Sequence, residues 1–447
     1  MANYKTKPSD MTGYPPGIIN IVGNEAAERF SFYGMKSILV IFMTTYMLDK
    51  SGNPAGLSDA KATEYFHNFT TAVYFLPILG AFISDMLWGK YKTILLLSIV
   101  YCMGHLALAM DETSTGLLIG LGLIAVGGGG IKPCVTAHVG DQFGDSNKHL
   151  MSKIFSLFYF SINLGAASAF LFIPILLKNH GPHIAFGIPG VLMCLATFVF
   201  WKGRNKFVHI PPGGKQFLKE TFSPEGLKAI GKISIIFICI APFWSLFDQT
   251  GSSWVLQAKK MELSIFGLEC LPSQIQSANP IMVMLLIPLF SYAIYPFMGR
   301  FFKVTLLRKI TLGMFLMVLA FSIPALIQRE IDAGFSPSIG WQLLAYLVIT
   351  ASEVMVSISC LEFAYTQSPL KMKSVIMSCF LMSIALGNFF TAQVNHYIEE
   401  PAIAEKLAGQ NYYWFFCIVM LVSAIFFSII AYFYKEKTYL QQKADAT

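Results

Sequence analysis

Four ionisable residues, Glu25, Glu28, Arg29 and Lys36, fall in the stretch NEAAERFSFYGMKSILV, residues 24–40, which otherwise has the make-up of a membrane-spanning helix. A charge at the centre of a bilayer costs at least about 3 kcal/mol, so such a charge marks an ion, proton or substrate path by default. At 100° per residue, these four groups and Tyr33 share about 140° of arc, and Lys36 lies about 16 Å beyond Glu25. A polar stripe of that length must face water or opposite charge. The simpler reading is a Glu25–Arg29 pair one helical turn apart that only steadies the helix. It explains one pair and leaves Glu28 and Lys36 on the same face unexplained.

The rest of the chain decides whether this helix lies in a membrane. Of 447 residues, 55% are hydrophobic and 13% charged, about half the charged content of soluble domains. That much apolar surface predicts an integral membrane protein. Spans of about 20 apolar residues are expected at 19–47, 63–88, 93–111, 114–139, 151–177, 184–201, 233–257, 274–299, 304–328, 339–367, 374–397 and 412–434. Between the sixth and seventh lies a basic, Pro/Gly-rich linker, 202–232. The predicted organisation is a tail (1–18), a six-helix bundle (19–201), that linker, a second bundle (233–434) and a tail (435–447). Most of the 32 Lys and Arg residues fall on the side holding both termini and the linker, which the positive-inside rule makes cytoplasmic. The net charge of +7 is therefore a topology signal and not a nucleic-acid footprint. The polar N-terminus lacks the features of a cleaved signal peptide, so the first helix is expected to be retained. Seven of the eight cysteines lie in apolar stretches and Cys270 lies in a loop, which gives no disulfide framework and no metal-ligand spacing.

Two six-helix bundles joined by a cytoplasmic linker predict an all-α membrane protein of the major facilitator fold, with substrate near the midplane between the halves. The remaining intramembrane charges are Lys132, Asp248 and Glu353. Lys36 and Asp248 have matching depth in the outer half, one in each bundle, and are expected to pair across the outer mouth. Lys132 matches Glu25 and Glu28 in depth and shares a cationic zone with Arg29. Glu353 sits mid-helix in the second bundle. A positive wall (Arg29, Lys132) opposite a negative spot fits a zwitterion with separated ends. A free peptide fits better than an amino acid, whose charges lie closer together.

These residues resemble the proton-dependent oligopeptide transporter family within the major facilitators. The family's ExxERF motif is present as Glu25-Ala26-Ala27-Glu28-Arg29-Phe30. Residues 80–104, around Asp85 and Gly89, resemble its first long signature, and residues 155–167, around Asn163 and Gly165, resemble the second. The runs YFHNFTTAVYFLPILGAF, APFWSLFDQTGSSWVLQA and LEFAYTQSPLKMKSV are similar to the animal branch, but the long segment that animal members carry between helices nine and ten is absent, which implies a compact bacterial homologue. The resemblance implies that Arg29 and Lys132 receive a peptide carboxylate and Glu353 its amino terminus. It implies that Glu25 and Glu28 couple protons, that Tyr33, Tyr74, Asn163 and Asn279 line the pocket, and that Trp244 packs on a substrate side chain. The chain departs from the family at Phe32, where a tyrosine is usual, at Phe247 (glutamate), at Phe380 (tryptophan) and at Lys36, which replaces a frequent arginine.

The weaker signals sort as follows. His67, in the outer part of helix two, is either a structural histidine, the commoner case for a lone His in an apolar helix, or a proton carrier suited by its imidazole; the animal-type motif puts the two readings level. Asp248 is the other outer-half proton candidate. Glu362 lies half a turn away from Glu353 and is assigned a structural or gating part near the cytoplasm. Asp85 and Lys90 are expected to form an inter-helix latch, and the GGGG run at 127–130 close helix packing, since it lacks the Lys-Ser/Thr of a phosphate loop. The expectation is a proton-coupled symporter of di- and tripeptides in a bacterial inner membrane. It would be multi-pass and functional as a monomer, and it would use no metal and no cofactor beyond protons as the coupling ion. It is not read as an enzyme and has no nucleic-acid partner. The alternatives are another substrate on the same scaffold, such as nitrate or a peptide-like drug, and a non-transporting peptide sensor.

Overall fold

A computed structural model describes residues 4–8, 10–212, 214, 224–265, 267–366 and 373–434. The fold is helical apart from one two-stranded hairpin, Ser264–Ile265 with Leu268–Glu269. In chain order the helices of the first half are α1 (Ile18–Ile41), α2 (Asp59–Phe75), α3 (Pro77–Ile83), α4 (Lys90–Met110), α5 (Ser114–Gly140) and α6 (Met151–Lys202). Those of the second half are α7 (Pro224–Phe247), α8 (Ser253–Ala258), α9 (Ala278–Leu289), α10 (Tyr295–Met298), α11 (Leu306–Asp332), α12 (Gly340–Thr366), α13 (Lys373–Ile398), α14 (Pro401–Ala404) and α15 (Gln410–Phe433).

Among the described residues, ten helical stretches are long and apolar enough to cross a membrane, the longest being Lys148–Asn205 with 58 residues. That stretch is two helices. Gly181 has φ 77°, a backbone conformation that costs glycine nothing, and Pro182 restarts the helix. The arms fold back on each other: Ile173, before the break, and Pro189, after it, both pack on Gly34 of α1. Helix α1, of 24 residues, is also long enough to cross a membrane and carries the charged stripe.

Two large hydrophobic cores correspond to the two halves, with a small third cluster (Leu286, Phe290, Val354, Met355) in the second. One gathers buried residues from Ile18 to Phe207, the other from Ile233 to Phe427. Val255 and Leu256 of α8 insert into the first core and so tie the halves together. The glycine run packs as expected: a Cβ at Gly127 would meet Tyr101 and Leu97 of α4, one at Gly129 would meet Leu76, and one at Gly130 would overlap Leu97. Backbone can approach backbone here only because these side chains are missing.

The predicted linker is partly helical. The first helix of the second half begins at Pro224, inside the expected 202–232 segment, and its first turns carry the apolar Leu227 and Ile230. The rest of that linker through residue 223, apart from 202–212 and 214, and the tail 435–447 lie outside the described residues. The expected Asp85–Lys90 latch takes a different partner. Lys90 pairs with Asp141 at 2.6 Å, because the C-terminus of α5 comes closer to the start of α4 than Asp85 does.

Candidate functional site

Helix α1 carries the charged stripe on a buried face. Glu25, Glu28, Arg29 and Lys36 are all buried, Glu28 completely. The Arg29 guanidinium is ion-paired with Glu25 Oε1 at 3.1 Å and with Glu28 Oε2, by charge and not by an aligned hydrogen bond. The Glu25–Arg29 pair is real, but it belongs to a triad in which one cation holds two acids.

Lys132 approaches from α5. Its ammonium lies over the Phe32 ring at 4.1 Å and the Tyr74 ring at 4.4 Å, and its nitrogen is buried with no hydrogen-bond partner. Cation–π contacts recover only part of the lost hydration, so this cation remains uncommitted. The Phe32 ring is one of the two faces that hold Lys132, and Arg29 lies 5.7 Å from the same ring, but a tyrosine would offer that face equally and nothing in the structure explains the missing hydroxyl.

A central cavity of about 220 Å³ lies between the halves. Tyr33, Asn163, Asn279 and Glu353 line it, as expected, together with Lys36 and Asp248. Asn279 donates to Glu353 Oε2 at 2.7 Å and to Thr350 Oγ1 at 3.2 Å, which fixes the carboxylate in place. Four expected contacts stand back from its wall. Arg29 is held by its two acids, and Lys132 and Tyr74 are engaged with each other. Trp244 meets Phe243, Phe247 and Phe380 edge-on, and of these rings Phe247 reaches the cavity. The residues Tyr159, Gln276 and Tyr346 also line the cavity and were not singled out from sequence. Single tyrosines and glutamines in apolar helices carry no periodic signal.

The face opposite the N-terminal tail closes this cavity. Lys36 Nζ bonds Asp248 Oδ1 at 2.9 Å across the two halves, as its depth predicted. Around it, Gln276 donates to the Ser37 carbonyl at 3.2 Å and Gln274 to the Leu171 carbonyl at 2.9 Å. At the rim, Ser58 donates to Glu399 at 2.8 Å and His396 meets Glu64 at 3.4 Å. His67 lies in the same layer and is fully buried. Its Nδ1 is 2.7 Å from Asn388 Oδ1 and its Nε2 is 2.8 Å from Ser252 Oγ, while Asn388 Nδ2 donates to Asp248 Oδ2 at 2.8 Å. Neither Asn388 nor Ser252 was found from sequence.

The Lys36–Asp248 contact makes a specific prediction. Removing one partner of a buried pair strands the other charge, at a cost of about 3–5 kcal/mol. Lys36→Ala and Asp248→Asn should each raise the accessibility of cysteines introduced near Thr44 on the closed face. The double variant should fall well short of the sum of the two effects. Additive effects would mean that the two residues act separately.

Two helical bundles around a charged central cavity define a membrane protein of the major facilitator type. The chain belongs to the POT family, whose model matches residues 91–224 and 220–415. It is 35% identical over 366 residues to peptide transporter family 1 of Drosophila melanogaster, covering 71% of this chain and 48% of that protein. It is 34% identical over 388 residues to human solute carrier family 15 member 1, covering 73% and 54%. The chain thus spans about half the length of the curated relatives it matches. Among solved structures it is similar to an auto-inhibited POT family peptide transporter, with 34% identity and a TM-score of 0.88 over 96% of this chain and 99% of that one. It is also similar to the POT family transporter PepTSo, with 36% identity and a TM-score of 0.87 over 94% and 98%.

Proposed function

We propose that this chain is a proton-coupled symporter that carries di- and tripeptides, and peptide-like drugs of the same charge pattern, across a bacterial inner membrane as a monomer. It would cross twelve times with both termini in the cytoplasm, which makes the closed face the outer one and the described state inward-facing. The observation that carries the reading is the uncommitted Lys132 ammonium beside the Arg29–Glu25–Glu28 triad, with Glu353 in the opposite half. A peptide carboxylate is the missing partner of the first, and a peptide ammonium suits the second.

The cycle follows from the charges. Protonating Glu25 or Glu28 loosens their hold on Arg29 and frees a guanidinium to join Lys132 on the carboxylate. Glu353, steadied by Asn279, takes the ammonium. Tyr33 and Asn163 supply hydrogen bonds to the peptide from the cavity wall. One zwitterion then touches both halves and favours their closure around it. At the outer layer, His67 and Asp248 exchange the driving proton as the Lys36 contact opens and shuts. The family's peptide-transporting relatives support the assignment.

The test is counterflow of labelled dialanine in liposomes, challenged with a competitor panel. Exchange inhibited by peptides and not by free amino acids or nitrate is the expected result. Saturable peptide binding without exchange would establish a sensor instead.

A further inference from the structure

The amide of Asn388 has two chemically different ends, and their surroundings leave one orientation. Asp248 accepts a charged hydrogen bond from Lys36 on Oδ1, so its Oδ2 also faces Asn388 as an acceptor. Only the NH₂ end of Asn388 can answer it. The same NH₂ donates to the Ile384 carbonyl at 3.0 Å, which uses its second hydrogen. The carbonyl end must then face His67 Nδ1, and a carbonyl only accepts. The hydrogen of the neutral imidazole is therefore on Nδ1, and Nε2 is a bare acceptor toward the Ser252 hydroxyl. A flipped amide would set oxygen against oxygen at Asp248. Asn388, His67 and Ser252 are all fully buried, so water cannot repair such a mismatch.

The location of these groups gives the arrangement a consequence. His67 is on α2 in the first half, whereas Asn388, Ser252 and Asp248 all belong to the second. The charged groups that face the ring are Asp248 and Lys36, which neutralise each other. In the closed state His67, Asn388, Ser252 and Asp248 each have a hydrogen-bond partner with His67 neutral. Adding a proton to Nε2 would reverse the bond, with Ser252 Oγ accepting and its own hydrogen left to find another acceptor in a buried site. Parting the halves removes Asn388 and Ser252 from the ring together and opens Nε2 to the solvent.

We propose that Asn388 is a positioning residue that fixes the Nδ1–H tautomer of His67 and thereby confines proton uptake at Nε2 to the outer-open state. It also ties that event to the Lys36–Asp248 contact through the same amide. The proton moves from the outer medium to Nε2, and no other bond changes. This inference rests on the symport reading for its role in transport, but the tautomer itself does not.

Two measurements test it. In the full chain, labelled with ¹⁵N-histidine and reconstituted in liposomes, the His67 signals are identified among those of eight histidines by their loss in His67→Gln. A protonated Nδ1 with an unprotonated Nε2 is expected, and Asn388→Leu should abolish that preference. The reverse tautomer in the wild type would overturn the proposal. Second, Asn388→Asp places another carboxylate beside His67 and Asp248, with only Lys36 to balance both. The pH at which proton-driven dialanine uptake is half-maximal should rise by about 1 unit or more, while counterflow at fixed pH persists. An unchanged pH profile with intact counterflow would overturn the relay. A wild type that shows no counterflow at all would overturn the symport reading and leave the tautomer measurement to judge Asn388.

Discussion

Glu28→Gln should abolish accumulation of dialanine against its gradient under an inward proton gradient, while leaving peptide counterflow in place. Glu28 is fully buried, and its carboxylate is one of two acids that hold the Arg29 guanidinium. The amide removes the negative charge and keeps the shape, so it imitates a permanently protonated acid. Arg29 then keeps a single ionic partner, Glu25 at 3.1 Å, and is freer to turn toward Lys132 and a substrate carboxylate. Counterflow exchanges peptide for peptide and needs no net proton movement, so it survives the change. Accumulation requires this site to give up its proton on the inner side, which an amide cannot do. Glu28→Asp, one methylene shorter, keeps a titratable group and should restore part of the accumulation. If Glu28→Gln accumulates peptide at the wild-type level, the coupling acid must be sought at Glu25 or in the outer layer.

The departure at Phe32 bears on the same region. A cation between two rings is held loosely enough to be recruited, since cation–π attraction is worth only about 2 kcal/mol when desolvated. A salt bridge at that position would hold Lys132 far more firmly. The uncommitted state of Lys132 thus depends on the acids choosing Arg29, whose planar fork reaches both carboxylates from the same helix.

The helices were legible because a bilayer allows little else. Expected spans such as 114–139 and 274–299 meet stretches observed at Ser114–Gly140 and Pro272–Met298. The charged stripe on α1 was legible because helical periodicity is local and the cost of an intramembrane charge is large. Depth along the helix also located the partner of Lys36, since two charges at one level of a bilayer have few alternatives. The contacts that were not legible have a common cause. Lys90 pairs with Asp141 and not with Asp85, and Trp244 and Tyr74 touch neighbouring rings and an ammonium. In each case the outcome rests on which helices touch and at what rotation, and that is a property of packing between segments distant in the chain. Asn388 and Ser252 are the sharpest example. Asn388 is a lone polar residue in an apolar run and Ser252 is one of several polar residues in the DQTGSS run, and only the approach of α2 to the second half gives them a shared partner.

N-acetyl-dialanine should bind the wild type roughly 10- to 150-fold more weakly than dialanine, because a charged hydrogen bond is worth about 1.5–3 kcal/mol. Acetylation removes the ammonium and leaves the carboxylate, so it tests only the second-bundle end of the cavity. Glu353 presents its carboxylate there, oriented by the 2.7 Å hydrogen bond from Asn279. In Glu353→Gln the group that discriminates is gone, and the gap between the two ligands should narrow to a few-fold. The loss should appear almost wholly in dialanine, since the acetylated ligand never used the charge. Asn279→Ala should do part of the same by letting the carboxylate swing. Competition against labelled dialanine in counterflow reads all of these on one scale. If Glu353→Gln weakens both ligands by a common factor, its carboxylate supports the cavity without recognising the ammonium. Glu362 then becomes the residue to test. It lies on the opposite side of α12 from Glu353, so a peptide reaching it would have to bind nearer the cytoplasmic end, in a pose turned away from Lys36 and Asp248.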